Sequence, residues 1–135
     1  MALSLNHLAI VSKDVEQTKK FLNILDVRLS HEEVVETEKV QTTFFPLSES
    51  LPQIEILTET TEDPKNPIYK FRQKYGSGIH HIALNVPAID SIYQHLKDND
   101  IEVIGQPRPG AHQSKVLFVH PRSTGGILFE LVQKM

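Results

Sequence analysis

Residues 80–86 read HHIALNV, and residues 6–12 read NHLAIVS. Each stretch has a histidine followed by apolar residues at every second position, the pattern of a half-buried strand. With His7 laid on His81, an offset of 74 residues, Ala9 meets Ala83, Leu22 meets Leu96 and Asp26 meets Asp100. Similar residues fill the gaps: Leu8 with Ile82, Ile10 with Leu84, Val15 with Ile89, Val27 with Ile101. One inserted residue later the echo continues, because FPLSESLPQIEIL lies on HPRSTGGILFELV and pairs Pro46 with Pro121, Ser48 with Ser123 and Glu55 with Glu130. The chain reads as two copies of one module.

In each copy the strand gives way to helical spacing, at Val15, Thr18, Leu22 and Leu25 in the first and at Ile89, Ile92 and Leu96 in the second. Asp14 with Gln17 three residues on makes a capping-box pattern for the first helix, while Pro87 and Ala88 lead into the second. The remainder of each copy has strand character. VRLSHEEVV, VQTTFFPL and PQIEILTE in copy one match IEVI, KVLFVH and ILFELVQ in copy two, with turn clusters SESLP and PRSTGG between strands. Each module is therefore βαβββ, and the fold class is α+β. The domain plan is a single domain spanning 1–135, with module one at 1–60, a connector at 61–77 and module two at 78–135. The connector holds one helix, with Asn66 as N-cap, Pro67 at the first helical position, Ile68 and Phe71 on one face, and Gly76 as the stop. A lone βαβββ sheet has an apolar face and open edges, so two of them have reason to associate around a concave space.

Composition narrows the chemistry. Fourteen Lys and Arg against seventeen Asp and Glu leave a net charge of −3, which gives no general attraction to nucleic acid or an anionic membrane surface. The absence of cysteine excludes disulfides, thiolate ligands and a cysteine nucleophile. No apolar run approaches the roughly 20 residues that span a bilayer, and MALSLNHL lacks the basic and apolar regions of a signal peptide, so the expected location is the cytoplasm.

Four residues stand out. Glu55 and Glu130 are each flanked by apolar residues in a strand, where an ionised carboxylate is costly unless paired or bound to a cation. His7 and His81 begin the equivalent strands, and because successive strand residues face opposite ways, His81 rather than His80 matches His7. His80 is then expected to be structural. Two imidazoles and two carboxylates suit a divalent first-row metal with open positions for water or substrate oxygens; two internal His–Glu hydrogen-bonded pairs are the plainer alternative.

The paired modules and the His, Glu, His, Glu order resemble the vicinal-oxygen-chelate superfamily, whose glyoxalase-like fold is an incomplete barrel around the site. Within it the chain is most similar to the methylmalonyl-CoA epimerase family, judged from NHLAIVSKDVEQTKKFL, NPIYKFRQKYGSGIHHIAL and PRPGAHQSKVLFVHPRSTGGILFELVQ. The resemblance implies His7, Glu55, His81 and Glu130 as metal ligands, Glu130 also as a proton-transfer group, and a divalent ion such as Co, Mn, Ni or Zn. It implies epimerisation of a small acyl-CoA substrate, 2-methylmalonyl-CoA, by 1,1-proton transfer through a metal-stabilised enolate. A glyoxalase I type lyase acting on a thiol hemithioacetal would use the same ligands, and a metal-free binding protein of the same fold would have an incomplete set. Where at least one member of the family has a glutamate proposed as an acid/base, this chain has Thr42, which cannot take that role. His112, on the glycine-containing loop PGAHQSK, is either a second proton-transfer group or, more simply, a solvent-exposed loop histidine, and Arg72, Lys74, Arg108, Lys115 and Arg122 are either contacts for coenzyme A phosphates or ordinary solubilising surface cations. Apolar strand edges point to a homodimer.

Overall fold

The computed structural model of the chain describes residues 1–49 and 52–135, so the SESLP turn lies partly outside the described residues. It is α+β, and its contacts divide into two units: His7–His80, and Met1–Asn6 together with His81–Met135.

In the His7–His80 unit the strands run in the order β2 (His31–Val35), β3 (Val40–Pro46), β4 (Gln53–Glu59), β1 (Ser4–Val11), the first three residues of β1 belonging to the other unit. β1 and β4 are parallel, with Ala9 opposite Glu55, and β3 is antiparallel to β4, with Phe44 opposite Glu55. Alternation then sorts the side chains by face. Ile10, Phe45, Ile54 and Ile56 are packed by Val15, Leu22 and Val27, from helix α1 (Val15–Ile24) and the residues after it. Ala9, Val11, Val40 and Leu57 are packed on the other face by Ile68 and Phe71 of helix α2 (Pro67–Tyr75), the expected connector helix. The adjacent phenylalanines Phe44 and Phe45 thus serve different faces.

Both helices start as the sequence requires. The Asp14 carboxylate accepts from the Gln17 N–H at 3.1 Å, and Asn66 Oδ1 accepts from Ile68 and Tyr69 N–H at 2.9 and 3.3 Å, with Pro67 in the first turn. The Asn66 amide also donates to the Lys39 carbonyl at 2.9 Å, and Arg72 pairs with the nearly buried Glu59, so α2 is fastened to β4 and to the turn preceding β3. Gly76 takes φ 75° and donates to the Arg72 carbonyl at 2.8 Å, which ends α2.

The second unit repeats the plan with β5 (Gly78–Asn85), β8 (Phe129–Lys134), β7 (Ser114–Val119) and β6 (Val103–Gly110), in that order, and helix α3 (Ile89–Asp98). The first three residues of β5 belong to the His7–His80 unit. Ala83 stands opposite Glu130 in the parallel β5–β8 pair, and Phe118 opposite Glu130 in the antiparallel β7–β8 pair. The register around Glu130 is therefore the register around Glu55, residue for residue. α3 and its neighbours pack on Val86, Leu117, Val119 and Leu131, while Ala83, Val116 and Val132 cluster on the opposite face.

The helix ends match as closely as the strands. Asp26 and Asp100 each have φ 59°; the following residues, Val27 and Ile101, donate back to the carbonyls of Leu22 and Leu96, both at 2.9 Å. This is the Schellman stop, with the left-handed position filled by aspartate, one of the non-glycine residues that tolerates it. Leu22 packs with Val27, and Leu96 with Ile101, in their own clusters, the apolar contact that accompanies the motif.

Two boundaries differ from expectation. The strand expected over IEVI starts at Val103 and runs on through GQPRPG to Gly110, because pairing with β7 resumes at Arg108 opposite Val116 after an irregularity beyond Ile104. Pro107 and Pro109 are tolerated there because β6 ends the strand order. Conversely, only His31–Val35 of VRLSHEEVV is a strand; Val27 and its neighbours serve the helix stop instead.

Candidate functional site

His7 and Glu55 reach the same face of the first unit because His7 lies two residues before Ala9 and Ala9 opposes Glu55. Ala9 itself is fully buried and small, so the two longer side chains meet above it: His7 Nδ1 lies 2.9 Å from Glu55 Oε2. The second unit builds the same couple from His81, Ala83 and Glu130, with His81 Nε2 3.1 Å from Glu130 Oε2. The four residues are only 5–8 % exposed: His7 5 %, His81 6 %, Glu55 7 %, Glu130 8 %. At such burial an isolated carboxylate would be strongly destabilising, and the imidazole beside each one offsets that cost.

An aromatic ring stands on the other side of each glutamate. His81 and Phe118 meet edge to face, with centroids 5.3 Å apart and planes at 86°, and the Arg108 guanidinium lies 5.4 Å from the Phe118 centroid. In the first unit Phe44 takes the corresponding place and stacks flat on His31 at 4.5 Å. His31 is held in turn by Ser30 Oγ, 2.9 Å from its Nδ1, and lies 3.4 Å from a Glu33 oxygen through Nε2. Charge patterning in the sequence does not mark these aromatic neighbours as site residues. The signal was present: Phe44 and Phe118 are 74 residues apart, the offset that relates His7 to His81.

The remaining candidates separate cleanly. His80 is edge-on to Phe71 at 5.3 Å, a packing contact with α2, as its opposite facing required. Thr42 is buried in β3 opposite Leu57. His112 is exposed at φ 56° in the turn between β6 and β7. Arg72 is joined to Glu59, Lys115 to Asp90 at 2.7 Å and Arg122 to Glu102 at 3.3 Å, while Lys74 lies over the Tyr75 ring. No helix among the described residues is long and apolar enough to cross a membrane.

The donor chemistry suits a metal. Each couple offers an imidazole nitrogen and a carboxylate oxygen, with no sulfur, the ligand types preferred by divalent first-row ions in sites that keep positions open. The same couples also satisfy one another without an ion.

Comparison with known proteins gives a consistent result. The model of the Glyoxalase/Bleomycin resistance protein/Dioxygenase superfamily matches residues 6–118. The chain is 34 % identical to the human mitochondrial methylmalonyl-CoA epimerase over 96 % of its own length and 73 % of that protein's. It is 33 % identical to the uncharacterized protein YqjC of Bacillus subtilis over 96 % and 91 % of the two chains. Among solved structures, a methylmalonyl-CoA epimerase in complex with methylmalonyl-CoA and NH4+ superposes with a TM-score of 0.87 at 26 % identity, covering 99 % of this chain and 96 % of that one.

Proposed function

Starting from the chain's membership of the Glyoxalase/Bleomycin resistance protein/Dioxygenase superfamily, we propose that it is a metal-dependent epimerase that interconverts the 2-epimers of methylmalonyl-CoA. The observation that carries this reading is the duplicated buried His–Glu couple, set in identical strand register in both modules. In this reading His7, Glu55, His81 and Glu130 together hold one divalent cation; the burial and ligand types of His7, His81 and Glu130 support it. Such a cation would supply Lewis acidity at the thioester carbonyl, lowering the cost of negative charge developing on its oxygen.

The protein's own residues do the rest. The α-carbon of a 2-methylmalonyl thioester lies between two carbonyl-type groups, so loss of its proton gives a planar enolate. Glu130 accepts that proton as the general base, and its contact with the His81 imidazole keeps its carboxylate oriented. Reprotonation from the opposite face gives the other epimer, which calls for a second group facing Glu130 across the substrate. The phenyl ring of Phe118, edge to face with His81, lays apolar surface beside the couple, which strengthens the charge interactions there.

The alternative within the same fold is a glyoxalase I type lyase, in which the proton moves between adjacent carbons of a hemithioacetal. The similarity to methylmalonyl-CoA epimerases over nearly the whole chain favours the epimerase. The substrate partner is then a small acyl-CoA thioester, and the homodimer expected from the sequence is tested by sedimentation of the purified chain. The test of activity uses metal-stripped protein. On reconstitution it should bind one divalent ion per chain and racemise C2 of a single methylmalonyl-CoA epimer, and a chelator should abolish both. Retention of epimerase activity after complete metal removal would defeat the reading.

A further inference from the structure

Helices α1 and α3, with their stops, agree in the residues they turn inward: Val15 with Ile89, Leu22 with Leu96 and Val27 with Ile101, each packed in its own module's cluster. Their outer residues do not agree. At the same offset of 74, Phe21 meets His95, Ile24 meets Asp98 and Leu25 meets Asn99. On α3 these positions are exposed and polar, and the Asn99 amide donates to the His95 carbonyl at 2.9 Å. On α1 they are apolar and open to solvent, with Phe21 58 %, Ile24 71 % and Leu25 58 % exposed. Spaced three and four residues apart, they share one face of the helix. The module folds with a polar face at this place, so the apolar face of α1 is one that the fold does not require.

We infer that this outer face of α1 is the contact surface between two copies of the chain, paired about a two-fold axis. Its size fits: at about 200 Å² for a large side chain when free, Phe21, Ile24, Leu25 and Leu29 together leave roughly 450 Å² exposed. That is close to the apolar share, a little over half, of the roughly 800 Å² each partner contributes to a standard interface. Its rim carries both signs, with Glu16 and Asp26 beside Lys19, Lys20 and Arg28, and lacks the basic cluster that an anionic bilayer attracts. A two-fold pairing with the α1 helices antiparallel sets the acidic first turn of each, at Glu16, toward the end of the other, where Arg28 follows. The strand edges named from the sequence are poorer contacts, because β6 carries Pro107 and Pro109 and β2 carries Glu32 and Glu33. Within its own module α1 covers the sheet face of Ile10, Phe45, Ile54 and Ile56, opposite to the face of His7 and Glu55, so this pairing makes no use of the couple.

The test gives one helix the outer face of the other. Sedimentation of the purified full chain is followed across the micromolar range for three proteins: the wild type, the triple variant Phe21→His, Ile24→Asp, Leu25→Asn, and the double variant Val34→Thr, Val35→Thr on β2. The triple variant carries on α1 the residues that α3 already tolerates, and circular dichroism verifies that each protein is folded. The wild type and the β2 variant should sediment as dimers of equal affinity, and the triple variant should associate at least about a hundredfold more weakly, having lost the apolar anchors from both sides of the contact. A wild type that stays monomeric throughout, or a triple variant that dimerises as well as the wild type, overturns the inference. Loss of the dimer in the β2 variant overturns it in favour of the strand edge. A monomeric wild type that floats with vesicles of phosphatidylserine and phosphatidylcholine, while the triple variant does not, overturns it in favour of a lipid surface.

Discussion

Replacing His81 by alanine removes an imidazole whose Nε2 lies 3.1 Å from the carboxylate of Glu130, which is 8 % exposed. Breaking a buried pair from one side strands the other charge and costs about 3–5 kcal/mol. For a chain of this length, 135 residues, each kcal/mol moves the melting temperature by roughly 3–5 °C. Metal-free His81→Ala should therefore melt roughly 9–25 °C below the metal-free parent, toward the lower end where Glu130 escapes by taking up a proton. Metal sharpens the contrast. At a hundred times its dissociation constant a bound ion stabilises the parent by about 2.7 kcal/mol, and a variant lacking a ligand should gain a small part of that at the same concentration. Paired melts with and without the ion, read by circular dichroism, measure both effects. A variant that melts with the parent when metal-free shows that the couple carries no stability. One that gains as much from the metal as the parent does removes His81 from the ligand set.

Other expectations follow from the same geometry. Glu55→Gln keeps an acceptor for His7 and should change metal-free stability by less than about 1 kcal/mol, while lowering metal affinity in a competition titration. Asp100→Val forces a β-branched residue into the left-handed stop at φ 59°, costing about 1–2 kcal/mol, whereas Asp100→Gly should be neutral or stabilising in denaturant unfolding. Asn66→Ala removes the cap of α2 and its bond to Lys39, a loss of about 1–2 kcal/mol by the same measurement. Because protons compete with a metal for imidazole and carboxylate, metal-conferred stabilisation should fall as the pH is lowered, and thermal shifts measured with and without metal across a pH series should converge at the acid end.

Much of this is legible in the sequence because the internal repeat samples the same physics twice. The offset that aligned His7 with His81 also aligned Asp26 with Asp100, and both adopt the same rare backbone conformation. Capping of α1 and α2 was written locally in Asp14, Asn66 and Pro67. What escaped was tertiary. No side chain at Ala88 caps α3; instead the Ile89 N–H donates to Gln133 of β8 at 2.8 Å, a partner 44 residues away. The sequence pattern of β6 stops short of its observed end at Gly110 because Gly105, Pro107 and Pro109 break alternation, and pairing with β7 rather than propensity makes that segment a strand. Nothing in the sequence sets Arg108 apart from the other four cations, because its place over Phe118 is a tertiary contact.

The central claim is that this chain moves a proton on and off one carbon of a methylmalonyl thioester, with Glu130 as the base. Nuclear magnetic resonance of methylmalonyl-CoA in deuterated buffer reads that event directly, since inversion through an enolate takes the new hydrogen from solvent. Metal-loaded protein should install deuterium at C2, chelator should stop it, and Glu130→Gln should slow it by at least about a hundredfold. Turnover of a thiol hemithioacetal with no deuterium entering methylmalonyl-CoA would contradict the account and assign the site to the lyase.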